Sequence, residues 1–513
     1  AKLHSRFHDI PSWDISPCCA KQVEHAIDGL KSSFSSGPDD LSGRLLKFLK
    51  PLILPYLCTI INKSITLGIF PSIWKSGKIT PVPKKGCKKD SSNYRPICVA
   101  SNLGKVLEGV VRSQIMPFID NILPSNMHGF RPGKSTESAL CSLLDKIHSH
   151  RASGKKVALL ALDASSAFDT ISHQLILKSL EFMGAGPTSL AWISNFLQDC
   201  DYFVQIDHQK SESWTCTDAG VGQGKSLSPL FFNVGSVSSA FWSELSEADL
   251  FADDGGDVIV GNTAEECQER IQMVANEKAL WYKYAGLTLN VKKSELLTFG
   301  FVAAPISING DHIHPSPSIK FLGLHLQQNL KWDIQVSELC NKIRWAASRI
   351  RSEGQFFCLS DRILLYNAWI SSLVHCNALA FLPNLTDGQL NDLQTAMNSG
   401  IRALYKLPKR DSTSITSIRT QLNILSVRNI LEKCLLVGAF KNRNAFLDNE
   451  NNNDGPLTRA RLRGDVLHPI QKGHLGKLSS CHIAAAWNRL PLDIRQTNVI
   501  GTGVRAIKKY VCK

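Results

Sequence analysis

Two short apolar runs that each end on aspartate constrain the fold of this chain most strongly. Residues 157–162 lead into Asp163, and residues 250–252 lead into Asp253 and Asp254. A continuous apolar run of this length predicts a buried strand. Apolar residues resume shortly after the second acidic pair, which is the outline of a hairpin with carboxylates at its turn. The sequence therefore predicts two strands, each with aspartate at its C-terminal end.

Carboxylates that are distant in sequence but adjacent in space are the minimal protein contribution to a two-metal site. Mg²⁺ prefers hard oxygen ligands, and two ions about 3.5 to 4 Å apart stabilise the attacking and leaving oxygens of phosphoryl transfer. Asp163 and Asp253 fit that requirement, since strand ends are rigid supports. A strand-terminal aspartate is equally typical of a helix N-cap, and Asp254-Gly255 of an ordinary turn, so the residues alone leave both interpretations open.

The charge of the chain favours an anionic partner. Its 58 Lys and Arg against 44 Asp and Glu give a net charge of +14, so nucleic acid is the leading partner and an acidic membrane surface a weaker one. The apolar stretches appear too short to span a membrane, so we expect no transmembrane helix and no membrane partner. The 15 cysteines are dispersed and never spaced as C-x2-C, which predicts reduced thiols and no structural zinc.

Periodicity predicts three helical segments and two basic regions. Helical spacing of apolar residues predicts helices within residues 21–33 and 45–65, and a third within 336–350 whose basic side chains lie off its apolar stripe. Residues 75–95 hold seven Lys and Arg with one Asp, which predicts a basic extended loop or hairpin. Residues 449–456, NENNNDGP, predict a linker before a basic tail.

A series of motifs resembles, in order, those of non-LTR retrotransposon reverse transcriptases of the jockey-like LINE type. SSGPDDLSGRLL, GIFPSIWKSGKITPVPKKG, SSNYRPICVASNLGKVLEGVV and MHGFRPGKSTESAL are similar to the N-terminal and fingers motifs. LALDASSAFDTISH, GVGQGKSLSPLFF, LFADDGGDVIVG, GLTLNVKKSELLTFG and IKFLGLHLQQNLKW are similar to the palm motifs and the start of the thumb. VHCNALAFLPN, MNSGIRALYKLPKR and AAAWNRLPLDIR resemble the thumb and C-terminal region more weakly.

The resemblance implies an α+β fold of the right-hand polymerase type, with fingers, a palm built on an antiparallel sheet, a thumb and a helical C-terminal region. The implied domains are an N-terminal helical extension at 1–74, fingers at 75–156, a palm with part of the fingers inserted at 157–325, a helical thumb and connection at 326–448, and a linker with a basic tail at 449–513. The first residues, AKLHSRFHDI, resemble no secretory signal. We expect a fragment of a longer product, cytoplasmic and nuclear in location.

The resemblance also implies the members of a metal site. Asp163 and Asp253 would ligate two Mg²⁺ ions, for which Mn²⁺ is a substitute, while the Ala164 carbonyl assists one ion and Asp254 supports the site. Lys293 matches a family lysine near the leaving pyrophosphate, where an ammonium group can donate a proton. A surface lysine is an equally good interpretation of that position.

Five further residues are implied to bind the incoming nucleotide. Phe168 would exclude a 2′-hydroxyl by steric clash, and Gln223 would contact the nucleotide. Arg95 with one of Lys84 or Lys85 would hold the triphosphate. Taken alone, Phe168 is better explained as a core aromatic and each lysine as part of a solvated basic loop, and a tight glycine turn explains the stretch around Gln223 equally well.

The chain departs from the family pattern around two of these motifs. Gly222 stands for Pro, Lys225 for Ser and Ser228 for Gly, and Lys225 is expected to put a cation beside the template and nucleotide path. The segment NVGSVSSAFWSEL has small polar residues where packing is expected, so its fit to the palm is expected to be poor. Gly255 and Gly256 are expected to cost roughly 0.5 to 1 kcal/mol each in the metal hairpin. Such changes are typical of drift in a copy no longer under selection.

The leading hypothesis is an RNA-directed DNA polymerase that extends a DNA primer on an RNA template with deoxynucleoside triphosphates by two-metal nucleotidyl transfer. The alternative is a catalytically decayed or domesticated copy that acts only as a nucleic-acid-binding protein. A third hypothesis is an RNA-templated RNA polymerase, against which Phe168 argues. Neither an endonuclease domain nor an RNase H is evident in the sequence, so we expect this chain to be unable to nick its own target. Template preference and oligomeric state stay open.

Overall fold

The computed structural model describes residues 7, 10–84, 86–207, 209–408, 411–441, 479–495 and 500–512. The predicted linker at 449–456 and Lys85 lie outside the described residues. The described part is mixed helix and sheet, 55% helical and 17% strand, so the α+β class is confirmed.

The N-terminal part is helical, as predicted. Helix α1 spans Ala20–Asp28 and ends at Gly29, several residues earlier than expected. Helix α2 spans Gly43–Leu67; the Ser42 hydroxyl accepts a hydrogen bond from the Leu45 backbone N–H at its start, and Gly68 adopts a left-handed conformation with φ of +67° at its end.

Helix α2 confirms the helix predicted at 45–65 and is two residues longer at each end. Pro51 and Pro55 interrupt the apolar run, but the helix continues through both and reaches 25 residues. By length and composition alone, α2 is long and apolar enough to cross a membrane. Within the described residues, one other segment meets this test, namely the bent helix pair Leu359–His375 and Ala378–Asn384 if the pair is counted as a single span. Core helices meet the same criterion, so the expectation of no transmembrane helix stays a prediction. One face of α2 packs into the protein core through residues such as Ile61.

The basic segment forms the predicted hairpin. Strand β1, Gly77–Pro83, pairs antiparallel with β2, Tyr94–Ala100. The other edge of β1 pairs in parallel with β5, Cys200–Ile206, which also pairs with the short strands β6, Gln209–Lys210, and β7, Trp214–Cys216. Helices α3, Asn102–Ile122, and α4, Thr136–Ala152, follow the hairpin.

A four-stranded antiparallel sheet of order β11-β3-β9-β8 forms the centre of the described residues. Its strands are β3, Lys156–Leu162, β8, Ser246–Phe251, β9, Asp254–Gly261, and β11, Glu295–Phe299. The predicted strand at 157–162 and the acidic hairpin are thus confirmed. Between β3 and β8 lie β4, Ala164–Ser165, α5, Ala167–Thr170, α6, His173–Phe182, α7, Pro187–Leu197, and α8, Ser228–Ser236.

Helices cover both faces of this sheet. On one face, alternate strand residues such as Leu160 pack against α8 and α9, Ala264–Tyr284. On the other face, residues such as Leu159 pack against α4 and the C-terminal helices. Because successive strand residues point to opposite faces, the continuous apolar run of β3 fills two cores. Strand β10, Thr288–Leu289, then pairs with β4 beside the sheet.

Two small hairpins and a helical region complete the described chain. The hairpins are β12, Ile306–Ile308, with β13, Asp311–Ile313, and β14, Ser318–Phe321, with β15, Leu324–Gln327. The helices are α10, Asp333–Glu353, α11, Leu359–Tyr366, α12, Ser372–His375, α13, Ala378–Phe381, α14, Asp387–Leu404, α15, Ile415–Gln421, α16, Val427–Lys441, α17, Ser479–Arg489, α18, Leu492–Arg495, and α19, Ile500–Cys512. The predicted apolar stripe of α10 is buried, mostly against α14.

The segment NVGSVSSAFWSEL packs well, contrary to expectation. It forms the end of α8 and a tight helical turn at Val237–Phe241, and its serines are buried. The Trp281 ring N–H donates to the Ser238 hydroxyl at 2.9 Å, and the Lys278 ammonium donates to the Ser239 carbonyl at 2.9 Å. The small polar residues therefore serve as partners for large side chains of α9.

Candidate active site

The sheet register brings the three predicted metal-binding aspartates to one end of the sheet. Leu162 at the end of β3 pairs with Gly255, and Phe251 at the end of β8 pairs with Asp254. Asp163 follows the first of these pairs, and Asp253 lies in the turn of the hairpin. The two predicted strand ends therefore converge as the sequence indicated.

The carboxylates are close enough to perturb one another. Burial, together with the charge of Asp253, raises the pKa of Asp163 above its usual value. Asp254 is solvent-accessible, yet the surrounding protein desolvates it, and with Asp253 and Asp163 nearby its pKa rises to about 6. Like charges that cannot ionise freely together form a site that favours a bound cation.

A loop between α3 and α4 supports the acidic turn from outside the sheet. The His128 backbone N–H donates to the Leu250 carbonyl at 2.7 Å, and the Asn233 amide donates to the Gly129 carbonyl at 2.7 Å. A Cβ atom on Gly129 would lie 2.4 Å from the backbone nitrogen of Ala252, so only glycine permits this approach. The motif MHGFRPG thus packs against the acidic hairpin and stabilises its conformation.

Asp163 is held on its other side by the segment that contains Lys293. The Asn290 N–H donates to the Asp163 carbonyl at 2.8 Å, and the Asp163 N–H donates to the Ser294 hydroxyl at 3.2 Å. Lys293 ends a short helical turn, is exposed, and opposes the rise in the pKa of Asp163 by its charge. Ala164, half-buried, pairs with Leu289 in β10.

Phe168 lies within an aromatic cluster next to the glycine-glutamine-glycine loop. Its ring stacks on Phe232 with centroids 4.4 Å apart and meets Phe130 edge-on at 5.9 Å. Its carbonyl accepts a hydrogen bond from the Val221 N–H at 2.8 Å. The ring is half-buried, so it packs against the core and leaves part of its surface accessible.

Gln223 is fixed through its backbone and its side chain. Its carbonyl accepts from the Cys98 N–H at 2.6 Å, and its amide donates to a carboxylate oxygen of Asp169 at 3.2 Å. Gly222 has φ of +63° and Gly224 φ of +120°. Proline cannot adopt the conformation at Gly222, so glycine is required there by this loop.

Asp169 is a candidate functional residue that sequence reasoning missed. Burial raises its pKa to about 6, against the effects of the Gln223 hydrogen bond and the charge of Lys84. The available signal was its place directly after Phe168 in the motif that also contains Asp163. Its partner lies 54 residues away, and no local pattern indicates that contact.

The predicted triphosphate ligands lie on the basic hairpin. The Lys84 N–H donates to the Asn93 carbonyl at 2.6 Å, and the charge of Lys84 opposes the rise that burial causes in the pKa of both Asp163 and Asp169. Arg95 is exposed opposite Val82 in the hairpin. Lys84 is therefore near the carboxylates. Arg95 lies on the same hairpin, but among the described residues no contact links it to them.

Lys225 does not point into a nucleotide path, contrary to expectation. Its side chain is 6% exposed, and the ammonium contacts the Cys200 sulfur at 3.1 Å and lies 5.4 Å from the Tyr202 ring centroid. The neighbouring Leu227 N–H donates to the buried carboxylate of Glu108 at 3.0 Å. Lys225 thus anchors the loop in the core beneath it.

The structure also shows what Ser228 and Gly256, two further departures from the family pattern, contact in the fold. The Ser228 hydroxyl donates to the carbonyls of Val221 and Gly222 and so closes the loop before α8. A Cβ atom on Gly256 would lie 2.9 Å from Leu143 Cδ1. A side chain at this position would therefore require the neighbouring side chains to shift, while the predicted cost of Gly256 in backbone order stays a prediction.

The oxygen ligands offered by the aspartates suit a hard divalent cation whose remaining ligands come from the substrate. Within the described residues, no group of three or more His, Cys, Asp or Glu side chains is arranged to hold a metal unaided. Mg²⁺ is commonly bound through one or two carboxylates plus substrate phosphates. Asp163 and Asp253, with the Ala164 carbonyl nearby, fit that pattern of ligands.

An antiparallel sheet with an acidic hairpin, a third carboxylate on the adjacent strand and helices on both faces is the arrangement that the sequence predicted for the palm. Residues 82–326 match the family described as reverse transcriptase (RNA-dependent DNA polymerase). The predicted family is also confirmed, since the chain is related to the polymerases of non-LTR retrotransposons of the jockey-like LINE type.

Several proteins named as polymerases of mobile elements are similar to this chain. It is 24% identical to a probable RNA-directed DNA polymerase from transposon BS of Drosophila melanogaster, over 77% of this chain and 46% of that protein. It is 24% identical to the RNA-directed DNA polymerase from mobile element jockey of the same fly, over 66% and 38%. For a retrovirus-related Pol polyprotein from type-1 retrotransposable element R2 of Popillia japonica, the identity is 26% over 54% and 39%.

The chain thus spans less than half the length of these relatives. Among solved structures, a telomerase from Candida albicans in complex with a fragment of telomeric RNA is similar over 70% of this chain and 68% of that chain, with 14% identity and a TM-score of 0.40.

Proposed function

We propose that this chain catalyses RNA-templated DNA synthesis, adding deoxynucleotides to a DNA primer paired with an RNA template. The observation that carries the proposal is the convergence of Asp163, Asp253 and Asp254 at one end of the palm sheet. The neighbouring loop fixes Gln223 beside Phe168 and Asp169. Metal ligands and nucleotide-contacting groups thus come from separate motifs to one region.

Asp163 and Asp253 would hold two Mg²⁺ ions, with the Ala164 carbonyl as a further ligand and Mn²⁺ as a chemically similar substitute. When bound, these ions would stabilise the charge on the attacking and leaving oxygens of phosphoryl transfer. The contribution of the protein is to fix the carboxylates on strand ends, so that their spacing varies little. Asp254 would support the site from the first position of β9.

The basic residues around the carboxylates would bind the triphosphate. Lys84 offers a compact charge, and Arg95 on the same hairpin can make bidentate contacts with phosphate oxygens. Lys85 is proposed for the same role from sequence alone. Lys293, whose charge already acts on Asp163, would donate a proton to the leaving pyrophosphate.

Phe168 and Gln223 would select and orient the nucleotide. Stacking on Phe232 fixes the plane of the Phe168 ring, so the ring cannot move aside easily to admit a 2′-hydroxyl. The hydrogen bond to Asp169 fixes the Gln223 amide, which leaves less side-chain entropy to lose on binding.

The template and primer would be bound mainly through their backbones. The net charge of +14 favours phosphate contacts with little sequence readout. On α10, the Trp345 side chain is 65% exposed, and the Arg349 guanidinium lies 5.6 Å from its ring centroid. This exposed pair offers both a stacking surface and a cation to a duplex.

Extension of a DNA primer on an RNA template in the presence of Mg²⁺ tests the proposal. We expect the unmutated protein to extend the primer and Asp253→Asn to lose at least a hundredfold in rate. Asp311→Asn is a matched control, since it removes a carboxylate from the exposed hairpin of β12 and β13. Absence of extension by the unmutated protein, with RNA binding retained, would instead support a protein that only binds nucleic acid.

Comparison of deoxynucleotide with ribonucleotide incorporation separates the proposed activity from RNA-templated RNA synthesis. The proposal requires a strong preference for deoxynucleotides. A preference for ribonucleotides would contradict it.

A further inference from the structure

Each strand of the acidic hairpin carries a second aspartate that is fully buried. Asp249 in β8 is 1% exposed, and Asp257 in β9 is 3% exposed. The register pairs Asp249 with Gly256, and Asp257 with Ala248, so the two carboxylates occupy neighbouring positions on opposite faces of the sheet. Burial of a carboxylate is costly unless it is paired and hydrogen-bonded.

Asp257 is paired with a buried lysine from α9. The Lys278 ammonium, 2% exposed, lies 3.0 Å from a carboxylate oxygen of Asp257, and the Ser246 hydroxyl donates to the same oxygen at 2.7 Å. Lys278 also donates to the Ser239 carbonyl at 2.9 Å. This lysine therefore joins the hairpin to α9 and to the turn that follows α8.

Asp249 is paired in the same way on the opposite face. The Lys146 ammonium of α4 donates to a carboxylate oxygen of Asp249 at 2.7 Å, and the Ser142 hydroxyl donates to the other oxygen at 2.8 Å. Lys146 also donates to the Ala248 carbonyl at 3.1 Å. One ion pair thus fixes each face of the hairpin to the helix that covers it.

A small cavity lies beside the first pair. It has a volume of about 20 Å³, room for one ordered water, and polar groups of Asp253, Asp257 and Lys278 line it together with apolar side chains such as Leu250 and Trp281. The strand itself contributes Gly255 at this level, which adds no side chain. The ion pair therefore adds a directional contact between the hairpin and α9, beside this gap in the apolar packing that they share.

We propose that Lys278 and Lys146 are positioning residues for the metal-binding carboxylates. Through Asp257 and Asp249 they fix the register and depth of the hairpin, and hence the place of Asp253 relative to Asp163. The inference rests on the proposed function of these carboxylates and deepens it. Each lysine acts through its aspartate partner and not by contact with substrate or metal.

Two variants and a matched control separate positioning from general stability. Lys278→Met leaves Asp257 buried without its partner. The double variant Lys278→Met with Asp257→Asn removes both charges and keeps an amide beside Ser246. Lys178→Met is the control, because it removes the lysine of an exposed ion pair with Glu181, with an N···O distance of 2.7 Å.

Melting temperature, Mn²⁺ affinity by calorimetry and primer extension are measured for each protein. We expect the double variant to melt close to the unmutated protein, yet to bind Mn²⁺ about tenfold more weakly and to extend the primer 10 to 100 times more slowly, since small misplacements of reacting groups reduce rates by that order. Lys278→Met is expected to lose metal affinity and melt earlier, and Lys178→Met to change neither.

Recovery of unmutated Mn²⁺ affinity and rate in the double variant would overturn the inference, because the pair would then contribute only stability. If the unmutated protein binds Mn²⁺ through Asp253 but extends no primer, the proposed function fails while the affinity measurements still decide the inference. Lys146→Met with Asp249→Asn repeats the experiment on the other face, and unchanged Mn²⁺ affinity there would remove Lys146 from the proposal.

Discussion

The raised pKa of Asp254 makes a quantitative prediction about stability in the absence of metal. Burial, then the charges of Asp253 and Asp163, raise it from 3.8 to about 6. A folded state that binds the proton more tightly than the unfolded chain loses stability as pH rises between about 4 and 6. Above pH 6 the full penalty is present. Asp254→Asn should therefore stabilise the metal-free protein at pH 7.

The expected gain is small but measurable. A rise of about two pH units corresponds to at most roughly 3 kcal/mol. Because the Asp254 side chain is exposed, solvent screens the repulsion, and about 1 kcal/mol is the appropriate estimate. For a domain of more than 200 residues, that amounts to an increase of about 2 °C in melting temperature.

Thermal unfolding in EDTA at pH 7 and at pH 4 tests this prediction. At pH 4 the carboxyl group is protonated in the folded state, so the variant and the unmutated protein should melt within 1 °C of each other. Asp311→Asn, on the remote β13, should show no gain at either pH. Equal or lower stability of Asp254→Asn at pH 7, or a gain that persists at pH 4, would refute the reasoning.

Three further predictions concern single residues of the palm. Gly256→Ala should lower the free energy of unfolding by about 1 to 3 kcal/mol in urea denaturation, because its methyl group would lie 2.9 Å from Leu143 Cδ1. The adjacent Gly255→Ala should change it by less, since only Leu250 Cδ2 lies near, at 3.1 Å, on a flexible side chain. Gly222→Pro should abolish primer extension, because proline cannot adopt φ of +63°; retained extension would show that the loop rearranges. Phe168→Val should raise ribonucleotide relative to deoxynucleotide incorporation at least tenfold, and unchanged discrimination would show that Phe168 is only a core aromatic.

Local periodicity correctly predicted those strands and helices whose type is set by their own pattern of buried residues. The apolar run before Asp163 is a strand because it is buried on both faces, and the stripe of α10 is helical because one face is buried. The helix predicted at 45–65 is also found, and it continues through Pro51 and Pro55. A helix can retain such residues when packing against neighbouring elements compensates for the lost hydrogen bonds.

The site was predictable where a motif contains both the residue and its support. Asp163 and Asp253 are of this kind, because a strand end fixes each one. The interaction of Asp169 with Gln223 and the burial of Lys225 depend on residues far away in sequence, so a motif alone could not reveal them. The predicted domain limits remain predictions, as do the roles of Arg95 and Lys85.

The departures from the family pattern were first interpreted as drift, and their spatial arrangement argues against that interpretation. Random substitutions in a decaying copy accumulate independently, so they should leave cavities, clashes and unpaired polar groups. Here Ser238 receives the Trp281 N–H, and the Ser239 carbonyl receives the Lys278 ammonium that also pairs with Asp257. The Ser238 hydroxyl thus gives the buried Trp281 ring N–H a partner, and the Ser239 backbone carbonyl gives one to Lys278, so these positions leave no unpaired donor. Primer extension with the Lys278→Met and Asp257→Asn double variant measures whether this arrangement serves catalysis.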